Sequence, residues 1–194
     1  MSTILITAPA VEPVTLFDAK LQCGLSPIED TDHVKSDMVS RQLRRFITTA
    51  RQECENRTRR AFITQTWKWQ LDGWEHPFFL PKPPFQAIVT FNYIDTSGAT
   101  QDANVYGYQL DPGSDTQPAR LAPLYAQPWP PLRRVQNNVS IVFRCGYGAT
   151  GATVPPVITQ AILFLVHSYY DPTAYKNVDA LVDGLLSPYV NRIS

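Results

Sequence analysis

The stretch that decides the fold runs from Asp32 to Asp72 and reads DHVKSDMVSRQLRRFITTARQECENRTRRAFITQTWKWQLD. In its first part, apolar residues recur three or four positions apart, which is the spacing of one face of an α-helix. These residues are Val39, Leu43, Phe46, Ile47, Ala50 and Cys54. The period then becomes two, because Trp67, Trp69 and Leu71 alternate with polar residues, as in a strand with one buried face. The sequence therefore predicts a helix over 32–59, followed by a β segment.

On the N-terminal side of this stretch, Thr15-Leu16-Phe17-Asp18 has a threonine followed three residues later by an acid. This is a capping-box-like helix start, and Gly24 is a suitable residue to end that helix. On the C-terminal side, short β runs are separated by proline, glycine and aspartate turns. The runs are Phe78–Leu80, Ala87–Asp95, Tyr106–Asp111, Ala119–Ala122 and Val139–Cys145. Helix resumes at Pro155-Pro156 and runs to about Tyr170, and a last short helix is predicted over 178–186.

This order predicts an α+β fold: a helical bundle core made by the N-terminal and C-terminal helices, with an inserted small antiparallel β-sheet or partial barrel. We expect residues 1–60 to form the N-terminal part of the helical body and 61–150 the β subdomain. Residues 151–194 would form the C-terminal helical part and a tail. Seventeen prolines against nine glycines fit many strand ends and rigid turns. The proline- and arginine-rich segment 113–134 leaves the number of strands open.

Composition excludes several classes of protein. Seventeen basic residues balance seventeen acidic ones, which argues against a protein that coats polyanions. Cys23, Cys54 and Cys145 form no CxxC pair, so we expect small buried thiols in a reducing cytoplasm rather than disulfides or a zinc ribbon. The N-terminal MSTILITAPAVEP lacks the basic start of a signal peptide. The apolar run at 161–166 is far shorter than the roughly 20 residues that span a bilayer, so no membrane partner is expected.

No reactive constellation is apparent in the sequence. His33, His76 and His167 form no metal-binding spacing, and the acidic loop beside His33 is better explained by solvation than by a metal. The glycines at 146–151 suggest a phosphate loop, but the Lys-Ser/Thr step is missing. Asp95, Asp102, Asp111 and Asp115 fall in turns, where aspartate binds its own backbone. We therefore expect no catalytic residue, cofactor or metal, although a hydrolase with an unrecognised site stays a third alternative.

The main concentration of charge lies on the long helix, where Arg41, Arg44, Arg45 and Arg51 are candidates for a channel or an interface. Arginines in such a cluster can contact DNA phosphates without regard to sequence, which gives the alternative function of a nucleic-acid-binding module. They can equally form a solvated face or salt bridges between subunits. The zero net charge favours this second interpretation.

Four tryptophans offer a second candidate surface. Trp67, Trp69, Trp74 and Trp129 could in principle stack single-stranded bases on a sheet. Their setting among alternating polar residues favours a buried core or an interface between subunits. We therefore regard them as candidate interface aromatics.

Ten segments of the chain, in order, carry a resemblance to a known family. They are Pro13–Lys20, Ile47–Ala61, Ile63–Trp67, Leu71–Gly73, Leu80–Pro84, Phe91–Asp95, Tyr108–Asp111, Gly146–Gly148, Val154–Ile162 and Leu185–Tyr189. Together they resemble the gp6-like head-tail connector family of tailed bacteriophages, in particular its phiE125-type branch. No single segment is specific, but their joint order is, and it covers most of the chain.

The resemblance implies a non-enzymatic head-completion (adaptor) subunit of a virion or phage-like particle. It implies a homo-oligomer, a twelve-subunit ring beneath the portal protein, which continues the channel for double-stranded DNA. It also implies a docking face for the next neck, stopper or tail-terminator protein. The expected location is the neck of the virion, and the host cytoplasm during assembly. In this family there are no catalytic residues to carry over.

Overall fold

A computed structural model describes residues 1–26, 33–75, 77–114 and 117–191, with the backbone alone for 33–36. The chain divides into two units. The helical unit comprises 11–63 and 148–190, and the β unit comprises 1–10 and 64–147 together with Asn191. The α+β class predicted from the sequence is confirmed. The first ten residues belong to the β unit.

The helical unit contains four α-helices in the described residues: α1 (Leu16–Gln22), α2 (His33–Thr58), α3 (Pro156–Tyr170) and α4 (Val178–Leu186). The capping box predicted for α1 is present. The Thr15 hydroxyl accepts a hydrogen bond from the Asp18 backbone N–H at 3.1 Å, and the Thr15 backbone N–H donates to the Asp18 carboxylate at 3.0 Å. The backbone N–H groups of Thr15 and Asp18 are thus both satisfied, which fixes where this short helix begins.

The core of the helical unit is made by the predicted apolar stripes. Helix α2 buries Leu43, Ile47, Ala50 and Cys54, and α3 and α4 face them. The buried residues of α3 and α4 are Ile158, Ala161, Ile162, Leu165, Val166, Val182 and Leu186. Burial raises the pKa of the Cys54 thiol to about 12. This thiol is therefore a small apolar group of the core, as predicted.

The β unit holds eight strands in the described residues, arranged as two antiparallel sheets. The five-stranded sheet has the order β1-β2-β8-β4-β5, and the three-stranded sheet has the order β3-β7-β6. Their bounds are β1 (Ser2–Thr7), β2 (Gln65–Leu71), β3 (Phe78–Phe79), β4 (Phe85–Ile94), β5 (Thr100–Asp102), β6 (Gln109–Asp111), β7 (Arg120–Ala122) and β8 (Val139–Cys145). Strands β1 and β5 were not predicted from the sequence.

The register of β2 and β8 sets the inner face of the five-stranded sheet. Trp69 lies opposite Ile141 and Leu71 lies opposite Val139, and all four side chains are buried. On the other side of β8, Phe91 of β4 also lies opposite Ile141. The period-two pattern of 65–71 therefore predicted the buried face of this strand correctly.

Two further predictions can be compared with the structure. The strand expected over 106–111 is shorter, because Asp102 caps a 3₁₀ turn at Ala103–Tyr106 that replaces its start. Residues 146–151 form a strand-to-helix connection, where a Cβ on Gly151 would lie 2.4 Å from the Pro13 carbonyl oxygen. Glycine is needed there because the two backbones approach too closely for a side chain.

Among the described residues, no helix is both long and apolar enough to cross a membrane.

Candidate interface surfaces

The outward face of α2 carries three exposed arginines, Arg41, Arg44 and Arg45. Arg41 forms an ion pair with Asp37 one turn earlier, at 2.6 Å, and its side chain remains 71% exposed. Arg44 and Arg45 form no ion pair with the part of the chain that the structure describes. Both side chains are exposed.

Arg51, the fourth candidate on α2, is buried. Its Nε lies 2.7 Å from a carboxylate oxygen of Glu12, and its Nη1 lies 2.7 Å from Glu55. The side chains of Arg51 and Glu55 are only 7% and 9% exposed. Glu55 also accepts a hydrogen bond from the backbone N–H of Phe62 at 2.9 Å. This network ties α2 to the segments before α1 and after α2, and it uses the charge of Arg51 inside the helical unit.

A second network joins α2 to α4 around Arg57. Its guanidinium lies 2.6 Å from Asp179 and 2.7 Å from Asp183, and it also pairs with Glu53. Burial acts to lower the pKa of Arg57, but hydrogen bonds with these carboxylates outweigh burial and raise it. The sequence does not single out Arg57, because its partners on α4 lie more than 120 positions away.

The opposite side of Glu53 contacts α3. The Tyr169 hydroxyl donates a hydrogen bond to the Glu53 carboxylate, and the Tyr169 ring lies 5.7 Å from that of Phe46. Burial, and then the bond to Glu53, raise the pKa of Tyr169 above its ordinary value. His167, on the same helix, lies 3.0 Å through its Nδ1 from the Tyr175 hydroxyl. It is therefore a satisfied, half-buried histidine.

Three of the four tryptophans regarded as candidate interface residues belong to one aromatic cluster of the β unit. Trp74 and Trp129 are stacked, with ring centroids 4.7 Å apart and planes 14° apart. Phe78 and Phe91 meet Trp129 edge-on at 5.8 and 5.7 Å, and Trp69 meets Phe78 edge-on at 6.1 Å. The indole N–H of Trp74 donates to the Pro130 carbonyl at 2.7 Å. These rings stabilise the β unit from within, since edge-to-face and offset contacts are the favoured aromatic geometries.

The fourth tryptophan, Trp67, lies at the margin of this core. It is half-buried, and the Nζ of Lys82 lies 4.9 Å from its ring centroid, within the range of a cation–π contact. Tyr93 is also buried near the cluster, with its ring 5.5 Å from Trp74. Burial, together with a hydrogen bond to Tyr106, raises the pKa of Tyr93 to about 12.

Three of the four aspartates expected in turns of the β unit accept hydrogen bonds from backbone N–H groups of their own turns, as predicted. The Asp95 carboxylate accepts hydrogen bonds from the backbone N–H groups of Ser97 and Ala99. Hydrogen bonds from the Ser97 side chain and other donors lower the pKa of Asp95 to about 2. Asp102 and Asp111 likewise accept from the backbone two residues on, whereas the prediction for Asp115 lies outside the described residues.

Metal binding was considered and disfavoured at the acidic loop near His33. Asp30, Asp32 and His76 lie outside the described residues, and His33 begins α2. Within the described ranges, no group of three or more histidine, cysteine, aspartate or glutamate side chains is placed to hold a metal ion.

Strand β1 presents an exposed apolar surface that the sequence analysis did not predict. All six residues of Ser2–Thr7 are exposed, although three of them are large and apolar. Ile4, Leu5 and Ile6 are 45%, 43% and 55% exposed. The signal was present in the β-branched run STILIT, but this segment was considered only as a possible signal peptide.

Comparisons with known proteins give a likeness of fold alone. No family model matches the chain, and no curated protein matches it. A chain from the neck of an empty gene transfer agent particle, computed with C6 symmetry, superposes with a TM-score of 0.81 at 20% identity. Two further chains come from the virion of the native gene transfer agent particle, with a TM-score of 0.73, and from its neck computed with C12 symmetry, with a TM-score of 0.68. Both are 22% identical. Each alignment covers 100% of this chain and 97% of the other, so the shared fold extends over both units.

Proposed function

We propose that this chain is a structural subunit of the neck of a phage-like particle, where it acts as a head-tail connector. The observation that carries the proposal is the shared fold over the whole chain with proteins from such a neck. Those necks were computed with C6 or C12 symmetry, which supports a ring of copies of this chain. The number of twelve subunits is the one that the resemblance to the connector family implies. The ordered segments that resemble the gp6-like connector family point in the same direction.

In this role the chain works through its surfaces and not through bond-making chemistry. A ring subunit needs rigid units and interfaces of sufficient area and complementarity. The Arg51 and Arg57 networks and the aromatic cluster provide internal rigidity. The proposed ring lies between the portal protein and the next neck, stopper or tail-terminator protein, and it continues the channel for double-stranded DNA. The subunit would be made in the host cytoplasm and reside in the virion neck.

Within this proposal, Arg41, Arg44 and Arg45 are the arginines assigned to the channel or to contacts between subunits. Arg51 is left out of this set, because its guanidinium already binds two carboxylates inside the helical unit. The same burial weakens the alternative of an autonomous nucleic-acid-binding module, since it removes one of the four cations on which that alternative relied. Three arginines, one of them paired with Asp37, offer little affinity at physiological salt.

Electron microscopy of the purified chain, alone and with the portal protein of the same particle, tests the proposal. We expect closed rings in at least one of the two samples, bound to the portal when it is present. A chain that stays monomeric in both samples and never binds portal would contradict the connector function.

A DNA titration separates the two candidate functions. For a connector we expect the monomer to bind DNA only weakly, with no sub-micromolar affinity at physiological salt. Sub-micromolar binding that is lost in Arg44→Ala plus Arg45→Ala would favour the nucleic-acid-binding module. Lys176→Ala is a suitable control, since Lys176 is an exposed cation outside α2.

A further inference from the structure

The N-terminal strand β1 is an unusual sheet edge. It lies at the end of the five-stranded sheet, and among the described strands it pairs only with β2. In the register, Ile4 lies opposite Lys68, and Leu5 lies opposite Trp67, so these two side chains point to opposite faces of the sheet. Both are exposed by more than two-fifths. Neither face of β1 is therefore buried by the chain itself, although both carry aliphatic side chains.

The strand also lacks most of the features that keep an exposed edge from pairing with another chain, although its register with β2 shifts between Leu5 and Thr7. Natural edge strands are short, charged, interrupted by proline or covered. Strand β1 has six residues, and residues 1–10 carry no charged side chain and no proline before Pro9. The opposite edge of the same sheet, β5, has only three residues, all polar, and includes Asp102. Among the described strands, the edge β1 is thus the long, aliphatic and uncharged one.

We propose that β1 is a contact strand between copies of this chain, which adds to the neighbouring subunit by backbone hydrogen bonding along its free edge. The inference rests on the proposed function, because a ring brings a second copy of the chain against each subunit. In a cyclic ring each interface joins two different surfaces, so the recipient is not β1 of the neighbour. Hydrogen bonds along the edge give affinity, and the side chains on both faces of β1 give specificity.

Two measurements on the assembled ring test this inference. Amide hydrogen exchange should show that the residues of β1 gain protection of about tenfold or more when monomers become rings, because their outward N–H groups find acceptors. A photo-crosslinking benzophenone amino acid in place of Ile4 should join one copy to another copy. Crosslinks to the portal protein alone would overturn the inference.

Charge placed on the strand gives a third test, with a matched control. Ile4→Lys and Ile6→Lys should each raise the concentration needed for ring formation at least about tenfold, since a lysine on a free edge opposes pairing. Val105→Lys makes the same kind of change at a residue of the β unit that is 83% exposed and lies outside any sheet, and it should assemble normally. The near-ultraviolet circular dichroism of the aromatic cluster reports whether each variant is folded. If one of the two lysine variants fails to fold, the other still tests the inference.

The outcomes separate this inference from the proposed function. Rings that form with β1 unprotected, or with both lysine variants assembling as well as the control, overturn the role of β1 and leave the connector function standing. A chain that forms no ring, with or without portal, overturns both. Protection of β1 that depends on ring formation, together with crosslinks between copies, supports both.

Discussion

Replacing Arg51 by methionine would test whether its charge serves the fold. Methionine keeps most of the length and apolar stem of the side chain but removes the guanidinium that binds Glu12 and Glu55 at 2.7 Å. Glu55, 9% exposed, would then keep its charge in a buried site with the Phe62 N–H as a remaining partner. Removing one member of a buried ion pair typically costs about 3–5 kcal/mol. Glu12 adds little to this figure because it is 30% exposed and can be hydrated.

Urea unfolding followed by circular dichroism at the helix band measures this loss, because the network lies in the helical unit. For a chain of this length, a loss of about 3–5 kcal/mol corresponds to a drop of roughly 6–20 °C in melting temperature. Arg41→Met is the matched control, since the Arg41–Asp37 pair on the same helix is largely exposed. It should change stability by no more than about 0.5 kcal/mol.

A double substitution tests the physical reason for the loss. Arg51→Met combined with Glu55→Gln removes the buried carboxylate charge that has lost its bond to Arg51, so it should be more stable than Arg51→Met alone. The reasoning fails if Arg51→Met costs less than about 1 kcal/mol, or if the double variant is no better than the single one. The first result would mean that water reaches the charges of Arg51 and Glu55. Arg51 would then count again, with Arg41, Arg44 and Arg45, among the candidates for a channel or an interface.

Three further predictions concern other parts of the chain. Trp129→Ala should lower the stability of the β unit by about 3 kcal/mol and abolish the exciton signal of the stacked indoles in circular dichroism. Because the pKa of Tyr93 is about 12 in the fold and about 10 when unfolded, stability should fall as the pH rises from about 10 to 12, and less steeply in Tyr93→Phe. Gly151→Ala should cost about 1–3 kcal/mol, since its Cβ would lie 2.4 Å from the Pro13 carbonyl oxygen, whereas Gly184→Ala in open space on α4 should stabilise by about 0.5–1 kcal/mol. If Gly151→Ala and Gly184→Ala change the free energy of unfolding by the same amount, the two glycine predictions are wrong.

Long elements with one buried face were predictable from the sequence. Helix α2 was expected over 32–59 and is found over His33–Thr58, because its apolar stripe from Val39 to Cys54 repeats over about four turns. Strand β8 was predicted with its observed ends, Val139 and Cys145. Strands β1 and β5 were not. The β-branched run STILIT of β1 suits a strand, but neither strand has a buried residue, so neither shows an alternation of buried and exposed positions. Strand β1 pairs with the distant β2, whereas β5 forms a hairpin with β4.

The candidate surfaces were harder to predict for a related reason. The helical pattern placed Arg51 at the flank of the apolar stripe, where either burial or exposure is possible. One of its two carboxylate partners is Glu12, 39 residues earlier in the chain, in a segment with no periodic signal. Trp129 lies in the proline-rich segment, and its stacking partner Trp74 comes from a separate turn. Contacts between irregular segments leave no periodicity in the sequence, so only the folded chain reveals them.

The fate of the arginines has a consequence for how a connector would treat DNA. Of the cluster on α2, Arg51 and Arg57 are neutralised by carboxylates within the helical unit, and Arg41 is paired on the surface. Each additional phosphate contact strengthens binding and its dependence on salt. A channel through which DNA must slide gains nothing from tight binding at any one position. In the proposed connector, an α2 face on which Arg44 and Arg45 are exposed and form no ion pair with the described residues, on a chain with no net charge, would be better suited to guiding DNA than to holding it.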